Sequence, residues 1–194
     1  MASSIRTFIA IPVSEKISAH AGRLVKRIEN TGADVKWVNV ADMHLTLKFM
    51  GNLPTEAIAD ICRALIPGVS SLERFSIRCQ GVGAFPNALR PRTLWLGFDQ
   101  GRELLIELQD IVENALEELG YRRESRQYHP HLTLGRVRAG NSTKQHSTLS
   151  EMIGKHTEFD AGQMPVDEVF VFASELSRQG PSYSTLGRIE LAKR

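Results

Sequence analysis

Two histidines, His44 and His131, each open the same four residues: His44-Leu45-Thr46-Leu47 recurs letter for letter as His131-Leu132-Thr133-Leu134, 87 positions further on. From this chain's composition, a chance second copy has odds on the order of one in a few hundred. A strand places alternate side chains on one face, so each copy presents a histidine and a threonine side by side. Two copies can then build one symmetric site. Histidine's ordinary pKa lies near neutrality, so a pair can hold one neutral ring as base and one protonated ring as acid. Hydrolysis or transfer at phosphorus uses both roles at once, one imidazole taking a proton from the attacking water or hydroxyl and the other giving one to the departing oxygen. Each threonine hydroxyl can donate to a non-bridging phosphoryl oxygen. A single His-Leu-Thr-Leu is satisfied by a half-buried strand that happens to carry a histidine; the matched pair favours a shared site over that reading.

No metal is needed by this scheme. The chain has no Asp/Glu cluster at nuclease-like spacing and no Gly-x-x-x-x-Gly-Lys loop. His129 shares the strand parity of His131, but Pro130 between them and the lack of a third ligand give it a supporting role. His20, His146 and His156 stand alone and read as surface residues. Arg122, Arg123, Arg126, Arg136 and Arg138 crowd around the second copy against one acid, Glu124. Guanidinium groups pair bidentately with phosphate and stack on bases, so this stretch suits a phosphorylated or nucleotide ligand.

The elements that must position these residues alternate. Ile5 to Val13 reads as a strand, Ser14 to Glu29 as a helix capped by Ser14, and Val35 to Val38 and His44 to Met50 as strands. Pro54 is expected to open a helix that ends near Pro67-Gly68. The second half repeats this order: strands at Phe75 to Val82 and Thr93 to Phe98, a helix from Arg102 to Leu119 closed by Gly120, then the second motif on a strand. A loop over Arg138 to Thr143, a short helix over Thr148 to His156, and strands at Val166 to Ser174 and Ser184 to Leu191 complete the chain. This order implies an α+β fold of two similar lobes facing each other across a cleft, with residues 1–194 forming one domain.

The chain has 194 residues, 42% of them hydrophobic, and a net charge of +2, which allows one ordinary globular unit and argues against a broad electrostatic grip on a nucleic-acid duplex. Cys62 and Cys79 lack Cys-x-x-Cys spacing and read as buried free thiols. With no membrane-length apolar run and no basic leader before one, the expectation is a cytoplasmic protein; the modest charge suggests a monomer with no obligate protein partner that binds only terminal nucleotides.

The chain resembles the 2H phosphoesterase family, and in particular its RNA 2′,3′-cyclic phosphodiesterase branch, first described as 2′-5′ RNA ligases. The resemblance rests on Arg6-Thr7-Phe8-Ile9-Ala10-Ile11, on Trp37-Val38, on the run from His44 to Gly51, on the run from His129 to Arg136, and on Gly180 to Leu186. It implies a bilobed α+β fold with pseudo-twofold symmetry, each lobe an antiparallel sheet with flanking helices, and a metal-independent, cofactor-free site between them. It implies that RNA 3′ ends bearing a 2′,3′-cyclic phosphate, or cyclic nucleotides, are opened to the 2′-phosphate, with a weak, reversible, ATP-independent ligation in some members. By the family pattern His44 is the proton donor, His131 the acceptor, Thr46, Thr133 and Arg136 hold the phosphate, and Phe49 stacks on a base. Strict alternation, however, puts Phe49 and Arg136 on the faces opposite His44 and His131, so each requires a strand end or a bulge to swing round, for which Gly51 and Gly135 are the candidates. Trp37 and Tyr183 are further aromatic candidates for stacking. Two other readings stay open: a non-catalytic nucleotide-binding module, and a phosphodiesterase for another cyclic or 2′-5′-linked nucleotide.

Overall fold

The computed structural model of the protein describes residues 3–177 and 180–193. Strand β1 (Ser4–Pro12) carries the buried run Phe8, Ile9, Ala10 and Ile11. Helix α1 (Glu15–Glu29) begins on Ser14, whose hydroxyl accepts a hydrogen bond from the Ile17 N–H. Its buried stripe, Ile17, Ala21, Leu24, Val25 and Ile28, keeps helical spacing. There follow β2 (Val35–Trp37), a 3₁₀ turn at Val40–Asp42, β3 (His44–Pro54), α2 (Ala57–Val69), β4 (Phe75–Phe85), β5 (Thr93–Phe98) and α3 (Arg102–Glu117). The chain then runs through β6 (His131–Val137), α4 (Thr143–Lys155), β7 (Asp160–Val166), β8 (Glu168–Ser177) and β9 (Gly180–Glu190).

Among the described residues nine strands join in one sheet in the order β7-β4-β5-β6-β3-β1-β8-β9, with β2 paired to β6 outside this path, and these strand pairs are antiparallel. The two motif strands, β3 and β6, meet at its middle through a single pair, Leu45 opposite Leu132. Either side of that seam lies a half-sheet of four strands in matching order: β3-β1-β8-β9 and β6-β5-β4-β7. These lobes are not the two halves of the chain. The C-terminal strands β8 and β9 complete the N-terminal lobe, and α1, which follows β1, packs on β7 of the other lobe. In the same way α3, which follows β5, packs against β3 and α2 of the first lobe, so each lobe lends the other a helix.

Several boundaries differ from the sequence expectations. Pro54 does not open a helix; it ends β3, opposite Ser4, and α2 starts at Ala57. Pro67 lies inside the last turn of α2, where its missing N–H removes one bond and the helix closes two residues later. Helix α4 starts at Thr143 rather than Thr148, because Ser142 and Gln145 form a reciprocal capping box. Strand β7 was not expected: its Gly, Gln and Pro residues have poor strand propensity, and they are tolerated because β7 is the edge of the sheet. Cys79 is buried and its thiol is pushed up to about 12 by burial; Cys62 is only half-buried. Among the described residues no helix is long and apolar enough to cross a membrane.

Candidate active site

The Leu45–Leu132 pair determines the geometry of the site. Both leucines are fully buried, so their neighbours on either side point to the opposite face of the sheet. Carrying the antiparallel register one residue each way sets His44 across from Thr133 and Thr46 across from His131. By that register the four side chains stand about the seam with the two histidines on one diagonal, for which regular antiparallel pairing gives Cα atoms about 7–8 Å apart. All four are half-buried. His44, Thr46 and Thr133 line a cleft of about 670 Å³ together with Phe49, Arg136, Trp37, Tyr183, Arg6 and Lys36; His131 is not among its lining residues, and the register across the seam from Thr46 places it beside the cleft.

Phe49 and Arg136 reach this face by the bulges that alternation demands. In β3, Ala10 pairs with Thr46 but Ile9 pairs with Lys48, so Leu47 is the extra residue, and Leu47 and Lys48 are buried in succession. In β6, Trp95 pairs with Thr133 but Leu94 pairs with Gly135, so Leu134 is the extra residue. The two bulges fall at equivalent positions of the two copies. Each moves the fifth residue after its histidine onto the histidine's face. Gly135 fits its role, since a Cβ there would stand 2.7 Å from Val35 and 2.8 Å from the Trp37 ring. Gly51 is not the residue that turns Phe49; it lies beyond Phe49, at a second irregularity opposite Thr7, with φ of +73°. Phe49 is 65% exposed, an aromatic ring presented to the cleft rather than to the core.

The two imidazoles are held alike. His44 Nδ1 lies 2.8 Å from the Asp42 carbonyl oxygen, and His131 Nδ1 lies 2.7 Å from the His129 carbonyl oxygen, each two residues upstream. A carbonyl only accepts, so both Nδ1 atoms carry hydrogen and both Nε2 atoms are left for proton exchange. Phe8 packs beside His44, ring centroids 4.7 Å apart, and Tyr183 meets it edge-on at 5.3 Å. Phe85 meets His131 edge-on at 5.0 Å, and Trp95 lies against His129 at 4.8 Å.

Burial holds both histidines below the usual imidazole value, and their charged neighbours then differ. Against the effect of burial, the carbonyl bond and the carboxylate of Asp42 favour the protonated form of His44. The His129 carbonyl does the same for His131, but the charges of His129 and Arg136 oppose it. The charged neighbours thus favour a proton on His44 and disfavour one on His131.

Of the five arginines near the second motif, Arg136 alone lines the cleft. Arg123 turns back to Asp110 and Glu117 of α3, Arg138 lies 3.6 Å from Asp34, and Arg122 and Arg126 are exposed outside the cleft. His20, His146 and His156 are half-buried rather than exposed, and none lines the cleft. Among the described residues no group of three or more His, Cys, Asp or Glu side chains converges as a metal site. The sequence reading missed Asp42, and it missed Tyr128, whose hydroxyl donates to the Thr46 carbonyl oxygen at 2.9 Å. It also gave no role to Arg6 and Lys36. No sequence signal marks these residues singly, apart from the position of Arg6 in the first strand two residues before Phe8.

Residues 14–178 match the model of the 2′-5′ RNA ligase superfamily. The chain is 32% identical over 182 residues to the RNA 2′,3′-cyclic phosphodiesterase of Methanothermobacter thermautotrophicus, covering 94% of this chain and 96% of that one. It is 33% identical over 170 residues to the protein of the same name from Aeropyrum pernix, covering 88% and 94%. In fold it is similar to the crystal structure of TT0787 of Thermus thermophilus, with a TM-score of 0.80 over 98% of this chain and 100% of that one, at 24% identity. It is likewise similar to E. coli LigT complexed with 3′-AMP, with a TM-score of 0.77 over 97% and 99%, also at 24% identity. The paired His-Thr motifs, the sheet they join and the match along most of its length place this chain in the 2′-5′ RNA ligase superfamily of 2H phosphoesterases.

Proposed function

We propose that this protein opens 2′,3′-cyclic phosphates at RNA 3′ ends, or on nucleosides, to the 2′-phosphate, in one catalytic unit that needs both lobes. The observation that carries the reading is the square of His44, Thr46, His131 and Thr133 about the Leu45–Leu132 seam, with both Nδ1 atoms committed to backbone carbonyls. The names of the relatives support the substrate.

In this mechanism His131 Nε2 takes a proton from water as the water oxygen attacks phosphorus in line with the bond to the 3′ oxygen. That bond breaks, and His44 Nε2–H gives its proton to the departing 3′ oxygen, leaving a 3′-hydroxyl and a 2′-phosphate. Solvent then returns a proton to His44 and removes one from His131. The assignment of donor and acceptor is supported by Asp42 beside His44 and by Arg136 beside His131. Thr46, Thr133 and Arg136 donate to the non-bridging oxygens as negative charge builds on them. Phe49 offers its exposed ring to the terminal base. No step calls for a metal or a cofactor. With the 5′-hydroxyl of a second RNA in place of water, the same forward step, attack on phosphorus with loss of the 3′ oxygen, joins ends through a 2′-5′ linkage without ATP.

Phosphorus NMR of a dinucleotide ending in 2′,3′-cyclic phosphate, incubated with the protein, tests the reading. A 2′-monophosphate resonance is expected. A 3′-monophosphate, or no product from either the dinucleotide or the mononucleoside, contradicts it.

A further inference from the structure

The first motif strand holds an ion pair that the chemistry above does not use. Lys48 sits in the β3 bulge, 8% exposed, and its Nζ lies 2.5 Å from Oε2 of Glu113 on α3, itself 3% exposed. A buried pair of this kind is weak evidence for stability, since two well-packed apolar side chains serve as well. What distinguishes it is where the remaining hydrogen bonds go. Lys48 Nζ also donates to the Arg122 carbonyl at 3.0 Å, Glu113 Oε2 accepts from the Glu124 backbone N–H at 3.3 Å, and Gln109 donates to Glu113 Oε1.

Arg122 and Glu124 belong to residues 121–130, which run from the end of α3 to His131 with no helix or strand of their own. The far end of this segment supplies the His129 carbonyl that holds His131 Nδ1, and next to it the Tyr128 hydroxyl bonds back to Thr46 of β3. The segment is thus tied to β3 near both of its ends. The other histidine needs no such tie: the Asp42 carbonyl that holds His44 belongs to a 3₁₀ turn capped locally by the Asn39 side chain. The symmetry breaks at the same place, for the residue equivalent to Lys48 in the second copy is Gly135.

We propose that the Lys48–Glu113 pair and Tyr128 are positioning residues, through which the first motif strand holds segment 121–130 so that the His129 carbonyl orients the His131 ring. This rests on the reading that His131 exchanges a proton with the nucleophile. Lys48 touches no reacting atom; it acts through the segment.

The test replaces the pair together, Lys48→Met with Glu113→Leu, so that no charge is left buried alone, and separately makes Tyr128→Phe. For the folded double variant, kcat is expected to fall about 10- to 100-fold, the size of effect that misplacing a catalytic group produces, while KM changes by less than about threefold. The acid limb of kcat/KM should also move to lower pH. Loosening the carbonyl bond removes a contact that favours the protonated ring, while the charges of His129 and Arg136, which oppose that form, stay in place beside apolar Phe85 and Trp95. Tyr128→Phe should move both readouts the same way by less, and its effect should largely vanish in the background of the double variant. A folded double variant with wild-type kcat and an unmoved acid limb overturns the proposal. If the double variant does not fold, Tyr128→Phe decides alone, and an unchanged kcat and acid limb overturn it. A His131→Ala enzyme that retains full activity would instead sink the two-histidine reading, whatever the Lys48 variants do.

Discussion

At the scale of single residues, the two histidines share a backbone support and differ in charged neighbours, and this difference is measurable. Both are held below the usual imidazole pKa by burial, so in the free enzyme both limbs of the kcat/KM profile are expected on the acid side of about 6.5, the ordinary value. Asp42 favours protonated His44; Asp42→Asn should therefore move the alkaline limb, which reports loss of the acid, to lower pH. Arg136 disfavours protonated His131; Arg136→Gln should move the acid limb, which reports loss of the base, to higher pH while lowering kcat/KM about 10- to 100-fold through the lost phosphate contact. A pH–rate series on the two variants checks both signs. Equal displacement of both limbs by either substitution would mean that the rings are not distinguished by these neighbours. Phe49→Ala should raise KM for RNA ends by about 5- to 150-fold, in line with about 1–3 kcal/mol for a stacked base, and leave kcat nearly unchanged.

At the scale of elements, the site depends on two bulges at matching positions, and these were only half legible in the sequence. The repeated His-x-Thr, the strand periodicity and the resemblance placed His44, Thr46, His131 and Thr133 on strand faces, and the structure brings these together at one seam. Alternation could show that Phe49 and Arg136 require a strand end or a bulge but not which, nor where it falls. The first lies at Leu47-Lys48 because a lysine is buried there against Glu113, 65 residues away, and no local pattern announces a buried lysine. Strand β7 was hidden for a similar reason: its pairing with β4 at the sheet edge, not its own propensity, makes it a strand. The start of α4 was legible and missed, since Ser142 and Gln145 stand at capping-box spacing. The bulge in β6 gives a prediction at this scale. Gly135→Ala should destabilise the fold by about 1–3 kcal/mol, because its methyl group has no room beside Val35 and Trp37. Denaturant unfolding measures this, and an unchanged midpoint and slope would show that β2 can give way.

At the scale of the whole molecule, the site belongs to neither lobe. The lobes exchange helices and share one sheet, and the proposed His-Thr site forms where β3 and β6 meet. This arrangement also limits how much RNA the protein grips. Arg6, Lys36 and Arg136 are the basic residues that line the cleft among the described residues, on a chain whose net charge is +2. Binding of a single-stranded RNA end should therefore weaken with salt with a shallow slope, about −2 on a log–log plot for three neutralised phosphates. A slope corresponding to six or more contacts would require a binding surface outside the cleft.

The most direct measurement is turnover of a short RNA ending in 2′,3′-cyclic phosphate, in EDTA, by the wild type and by His44→Ala and His131→Ala, with the product isomer identified. The two-histidine mechanism requires a 2′-phosphate product from the wild type and a loss of at least about 10²-fold in each variant. Turnover that survives in either variant, that needs a divalent metal, or that yields a 3′-phosphate would contradict it.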